Sequence, residues 1–261
     1  MIKINLSNKL AFVTGAGGGL GKAISLDLAE CGADVVLACR GSLLETQKTA
    51  DEIISMGRKA LVVQGDIAKS SDCKTMVEAA IKCFNKPIDI LVNNAGYYQE
   101  FSSVIDITDD IIDKTIDTNL KGTIYMSREV GKAMVDSGIN GRIINISSGA
   151  GHGGRKNHSH YCSSKAGVIM LTKAMAIEMA PKGVNINSIS VGFVDVGRFD
   201  EGSMLTVKTD ILPRILLRRP GKPADISRMV CFLASECGDW ITGTDIRIDG
   251  GESAGRIPPQ D

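Results

Sequence analysis

The sequence has no excess charge of either sign: thirty Lys and Arg balance thirty Asp and Glu over 261 residues. A balanced chain has no global field to draw it to nucleic acid or to an anionic membrane, so neither is expected as a partner. It also lacks any apolar run approaching the roughly 18 to 20 residues of a membrane span. The opening "MIKINLSNKL" has no apolar stretch of the kind a secretory signal needs, and a cytoplasmic protein is expected. Seven cysteines (31, 39, 73, 83, 162, 231, 237) are an odd number, and no two form a C-x-x-C pair. Most lie in apolar segments, where a free thiol behaves as a small hydrophobe, and a reducing compartment fits that usage. No repeat, low-complexity block or Pro/Gly/Ser linker divides the chain, so one domain over 1–261 is expected. Histidine is scarce as well: all three stand in "HGGRKNHSHYCSSK" (152–165).

What is present is a regular alternation. Apolar residues make up 43% and charged ones 23%, enough apolar material for a sizeable core. Short β-branched runs at 10–14, 34–38, 60–64, 88–93, 142–147, 184–189 and 245–249 read as strands. Helical patterns fall between them, at 20–31, 42–56, 71–84, 108–138, 160–180 and 223–235. Several strands are apolar on both faces, as in a parallel sheet covered by helices on either side. Alternating βα units of this kind predict a doubly wound (Rossmann) α/β fold of about seven strands. The helix at 160–180 contains "AGVIMLTKAMAIEMA", apolar almost all round, and so must be buried on more than one side. One side can lie on the sheet; the other calls for a second subunit or a neighbouring helix.

"TGAGGGLG" (14–21) joins the first strand to the first helix. Glycines at 15, 19 and 21 allow a tight turn and close approach of backbone to a pyrophosphate, with the helix N-terminus offering free N–H groups to the anion. At the end of the second strand an acid would bind the 2′-hydroxyl of NAD, whereas an Arg suits the extra phosphate of NADP. Here "ACRG" places Arg40 there and no carboxylate, so NADP(H) is expected to be preferred, with NAD(H) possible.

Tyr161 and Lys165 stand as Tyr-x-x-x-Lys, which puts both on one helical face. With this spacing the chain resembles the one-domain form of the short-chain dehydrogenase/reductase family. The likeness runs through "TGAGGGLG", "GDI" (65–67), "NNAG" (93–96), "DTNLKG" (117–122), "NISSGAG" (145–151), "YCSSK" (161–165) and "WITGTDIRIDGG" (240–251). It implies a general acid/base at Tyr161, a modulator at Lys165, a hydrogen-bond donor to the substrate oxygen at Ser148 (Ser147 being the alternative) and an anchor for a proton-relay water at Asn119. It further implies a cofactor site formed by Gly15, Gly19, Leu20, Gly21, Arg40, Asp66, Ile67, Asn93, Ala95, Gly96 and Val194, together with Tyr161 and Lys165. A free phenol has a pKa of about 10, and a nearby ammonium and an oxidised nicotinamide would both favour the phenolate.

The implied activity is hydride transfer between a nicotinamide cofactor and a ketone or secondary alcohol, such as a 3-oxoacyl thioester, a sugar or polyol, or another small carbonyl compound, in a homo-oligomer expected to be a tetramer. The alternative is an NADP-binding regulatory protein with little or no turnover. Two positions depart from the family pattern: Val191 replaces a Pro, and Val196 replaces a Thr that would hydrogen-bond the nicotinamide carboxamide, leaving the Val194 N–H for that purpose. A substrate lid is expected around 193–220. The histidine stretch is a poor metal site, because zinc needs three or four convergent ligands. No metal is expected. His152, Arg155, Lys156, His158 and His160 are instead read as a substrate-facing rim favouring polar or anionic compounds, against the alternative of solvated loop residues.

Overall fold

A computed structural model describes residues 4–98, 101–197 and 207–255. Among them, seven strands form one parallel sheet: β1 (Leu10–Thr14), β2 (Asp34–Cys39), β3 (Ala60–Gln64), β4 (Ile90–Asn93), β5 (Arg142–Ser148), β6 (Asn185–Val191) and β7 (Asp245–Ile248). Their spatial order is β3-β2-β1-β4-β5-β6-β7. The connecting helices are α1 (Gly19–Glu30), α2 (Leu43–Ser55), α3 (Ser70–Phe84), α4 (Asp109–Ile116), α5 (Gly122–Asp136), α6 (Ser159–Met179) and α7 (Pro223–Ala234).

Alternation along the strands builds two cores. In β1, Ala11 and Val13 face one side, where Ile24 and Leu28 of α1, Ile53 of α2 and Val230 of α7 pack. Leu10 and Phe12 face the other, against Met76 of α3, Met126 and Val130 of α5 and Ala176 of α6. Because each of the first six strands is followed by a helix that returns over the sheet, all strands end at the same edge. The order reverses between β1 and β4, and there the connections leave in opposite directions and open a crevice.

Two details of the fold place the site. The helical pattern at 108–138 is one continuous rod, but at Asp117–Lys121 it widens into a π-turn between α4 and α5. Such turns are rare and favour functional positions, since the extra residue re-aims a side chain. Helix α6 packs on β5 and β6 and against α4, while Met170 and Ile177 on its outer side are 62% and 79% exposed. Its apolar circumference is thus only partly covered within one chain. On the turn into β7, Trp240 stands wholly in water. Of the expected lid, residues 198–206 lie outside the described residues; the later part comprises a π-turn at Val207–Ile211 and a 3-10 turn at Leu212–Arg214.

Candidate active site

The crevice holds a cleft of about 480 Å³ lined along its length by the glycine turn, the ends of β2 and β3, and the segment after β4. At its head, Gly15 and Gly19 have φ of +66° and +52°, a region that side chains resist. Gly21 is required by proximity: a Cβ there would stand 2.1 Å from the Gly15 carbonyl oxygen. Helix α1 begins with no side-chain cap, so its first N–H groups are left for an anion in the cleft. The glycine turn is tied across the crevice by Asn94, whose Nδ2 donates to the carbonyls of Thr14 (3.0 Å) and Gly15 (3.1 Å). The Thr14 hydroxyl in turn accepts from the N–H groups of Asn94 and Ala95.

At the far end of β2 and β3, Arg40, Ser42, Asp66 and Ile67 line the cleft. Arg40 is largely exposed, and its guanidinium stands 3.9 Å from Asp66, a loose pair that leaves its donors available. Ser42 lies beside it, its hydroxyl filling the space a Cβ on Gly17 would need. These features fit a dinucleotide: a glycine cradle for the pyrophosphate, and a cationic and hydroxylic corner for its adenosine end.

Gly96 forms the passage from this cleft to Tyr161 and Lys165. A Cβ there would come within 3.3 Å of Asn119 Oδ1 and 3.7 Å of Lys165 Nζ. Beyond it stand Ser148, at the end of β5, and Tyr161 and Lys165, one turn apart on α6. The Ser148 hydroxyl stands beside the Tyr161 phenol and acts in favour of its phenolate. Ser147, one residue earlier and so on the opposite side of the strand, donates to the Lys165 carbonyl and is not available for that role. Lys165 is buried; its Nζ donates to the Ile146 carbonyl at 2.9 Å and stands 5.9 Å from the centre of the Tyr161 ring.

The electrostatics follow from burial. Desolvation disfavours the Lys165 ammonium and lowers its pKa to about 8. Desolvation of Tyr161 disfavours the phenolate and pushes the phenol up to about 12, although Ser148 and Arg155 act in the opposite sense. In the protein by itself, burial therefore outweighs the lowering that the sequence suggested for the Lys165 charge. The Lys165 Nζ is turned to a strand carbonyl instead of to the hydroxyl.

Asn93, Val194 and Asn119 are placed differently from the other expected site residues. Asn93 does not line the cleft: its side chain turns inward and donates to Ser127 (2.9 Å) and Asn145 (2.8 Å), while Asn94 takes the place at the groove. Val194 lies outside the cleft, in a bridge to Gly221; Val196 is the lining residue, with its Cγ1 3.5 Å from where a Cβ on Gly19 would be. Asn119, on the π-turn, has both ends of its amide engaged. Its Oδ1 accepts from Tyr97 N (2.6 Å), and its Nδ2 donates to Tyr97 O (3.0 Å) and Ser164 Oγ (3.1 Å). It positions the segment after β4, and one lone pair of its Oδ1 remains for a further donor. Gly15, Gly19, Leu20, Gly21, Arg40, Asp66, Ile67, Ala95 and Gly96 do line the cleft.

The histidine stretch is dispersed. His152 turns to β6 and β7, with Nε2 2.7 Å from Asp245 Oδ2 and 3.2 Å from Ser190 Oγ. Arg247 stands 3.0 Å from its Nδ1. A guanidinium can only donate, so Nδ1 accepts and Nε2–H points to Asp245. His160 is buried at the start of α6. His158 stacks on Phe101 (4.0 Å between ring centres), and Tyr98 meets both Phe101 (4.8 Å) and Tyr161 (4.7 Å) edge-on. Tyr98, Phe101, Ser42 and Asn94 were not singled out in the sequence; only Asn94, inside "NNAG", had a motif to mark it. Among the described residues no group of three His, Cys, Asp or Glu side chains could hold a metal ion.

The family of short chain dehydrogenases matches residues 9–203. The chain belongs to that family. It is 36% identical over 244 residues to the 3-oxoacyl-(acyl-carrier-protein) reductase of Staphylococcus epidermidis, covering 94% of this chain and 98% of that one. It is 34% identical over 255 residues to the human (3R)-3-hydroxyacyl-CoA dehydrogenase, covering 94% and 96%. A short chain dehydrogenase from Burkholderia cenocepacia, solved in complex with NADP, superposes with a TM-score of 0.87 at 30% identity, over 95% of this chain and 99% of that one. The short chain dehydrogenase is thus an NAD(P)-dependent oxidoreductase acting on carbonyl and hydroxyl groups.

Proposed function

We propose that this short chain dehydrogenase reduces small ketones with NADPH in preference to NADH, and works as a homo-oligomer. The observation that carries the reading is the placement of Ser148 beside Tyr161 at the end of the dinucleotide cleft, with Lys165 buried behind them. When bound, the nicotinamide supplies or accepts the hydride. The chain's own residues do the rest. Ser148 donates to the substrate oxygen and holds it at the Tyr161 phenol. With its pKa raised to about 12, that phenol is protonated at neutral pH, which suits it to hand a proton to the oxygen as a ketone becomes an alcohol. Lys165, through its charge, then favours the phenolate left behind. Gly96 leaves room between Asn119 and Lys165, and the aromatic wall of Tyr98 and Phe101 keeps water from the phenol.

The NADPH preference rests on Arg40, with Ser42 beside it and no acid at the end of β2. The relative solved with NADP is consistent with this. Titrating both cofactors should show tighter binding of the phosphorylated one, and Arg40→Ala should narrow the difference. Equal or tighter binding of NADH by the unaltered protein would refute the preference.

A further inference from the structure

Of the cationic residues between Ser148 and Tyr161, one is left facing the reaction centre. The Arg155 Nη2 lies 3.8 Å from where a Cβ on Gly149 would be, and Gly149 directly follows Ser148. Its charge acts on the phenols of both Tyr161 and Tyr98. Its ionic partner among the described residues is Glu252, at 3.7 Å, beyond hydrogen-bond range. Among those residues no side-chain hydrogen bond takes up any of the five N–H donors a guanidinium carries. Lys156 is exposed, and its backbone carbonyl lies 2.6 Å from His158 Nδ1. Across from Arg155, Tyr98 and Phe101 present rings that are 51% and 45% exposed.

A half-exposed guanidinium with unspent donors, close to the group that holds the reacting oxygen, is suited to a planar two-oxygen anion. We infer that Arg155 is a carboxylate receptor, and that the substrates are short oxo acids and the corresponding hydroxy acids. The carboxylate lies a few bonds from the carbonyl, and the apolar remainder lies on the Tyr98–Phe101 wall. Glu252 holds the guanidinium at long range until a substrate carboxylate displaces it. This inference rests on the reading of the site as a ketone reductase.

The test uses the full chain with NADPH and three pairs of probes, each an oxo acid and its methyl ester: pyruvate, acetoacetate and levulinate. At least one acid should exceed its ester in kcat/KM by tenfold or more. Arg155→Ala should raise KM for that acid at least tenfold and for its ester several-fold less, with Arg155→Lys recovering part of the loss. Glu252→Gln should lower KM for the acid and leave the Arg155→Ala enzyme's KM little altered. If every ester matches or exceeds its acid, or if Arg155→Ala affects acid and ester alike, Arg155 is not a carboxylate receptor although the reductase reading stands. If neither acids nor esters are turned over by a protein that binds NADPH, both readings fail together.

Discussion

Tyr161 and Lys165 lie four residues apart, yet burial acts on them in opposite chemical senses. It keeps a proton on the phenol and tends to take one from the amine. Replacing Tyr161 by Phe removes the proposed proton donor and almost nothing else. The variant should fold, bind NADPH as before, and lose about 10²- to 10⁴-fold in turnover at saturating substrate. Turnover within a few-fold of normal would assign the proton to another group. Lys165 carries a different signature. Its pKa is about 8 folded, against the ordinary 10.5. Between these values the unfolded chain binds more protons, so its burial penalty is fully present below pH 8 and fades as pH rises toward 10.5. Two and a half units correspond to about 3 kcal/mol, offset by about 1 kcal/mol for the hydrogen bond to Ile146. Lys165→Met should therefore lose turnover and yet be the more thermostable protein at pH 7 without cofactor. That advantage in Tm should shrink on titration to pH 10.5; a difference independent of pH would mean that the amine is not desolvated as described. The dispersal of His152, His158 and His160 could not be read from their spacing. Which way each points depends on Asp245, Phe101 and the start of α6, all remote from them in sequence or set by the turn they share.

At the scale of elements, β-branched runs and 3.6-residue periodicity mark every strand and helix to within a residue or two, because parallel strands buried on both faces leave little ambiguity. The π-turn at Asp117–Lys121 was not legible: helix propensity is the same on either side of it, and its cause is tertiary. Asn119 must reach both the Tyr97 backbone and Ser164 of α6, and the widened turn turns its amide that way. Nor could Asn93 and Asn94 be told apart, since adjacent residues on a strand end face opposite sides and only the location of the sheet's two cores decides which. Asn119→Ala leaves the Tyr97 N–H and C=O without these partners. With net losses of about 0.5–1.5 kcal/mol per bond, Tm should fall by roughly 2–12 °C. Turnover should fall further than cofactor affinity, because the segment loosened is the passage past Gly96 and not the glycine turn. Calorimetry and cofactor titration on the same variant separate the two, and unchanged Tm would show that Asn119 holds nothing in place.

Among the described residues, Met170 and Ile177, two turns apart on the outer side of α6, stand exposed, with Ile124 of α5 also exposed. Exposed apolar side chains in such a group suit a subunit contact. The expected result is an oligomer in sedimentation, and Met170→Asp combined with Ile177→Asp should sediment as a smaller species with secondary structure intact. An unaltered protein that sediments as a monomer would remove the argument. Since α6 also carries Tyr161 and Lys165, dissociation should lower turnover more than it lowers binding of the nicotinamide cofactor, whose cleft is built from β1 to β4.

The indole on the turn into β7 has a practical consequence. The chain holds a single tryptophan, and it stands fully in water. Its fluorescence is thus the signal of one address. An emission that moves to shorter wavelength as protein concentration rises would report that this corner becomes covered, with no dye, label or enzyme assay. An emission constant over the same range would place any subunit contact elsewhere.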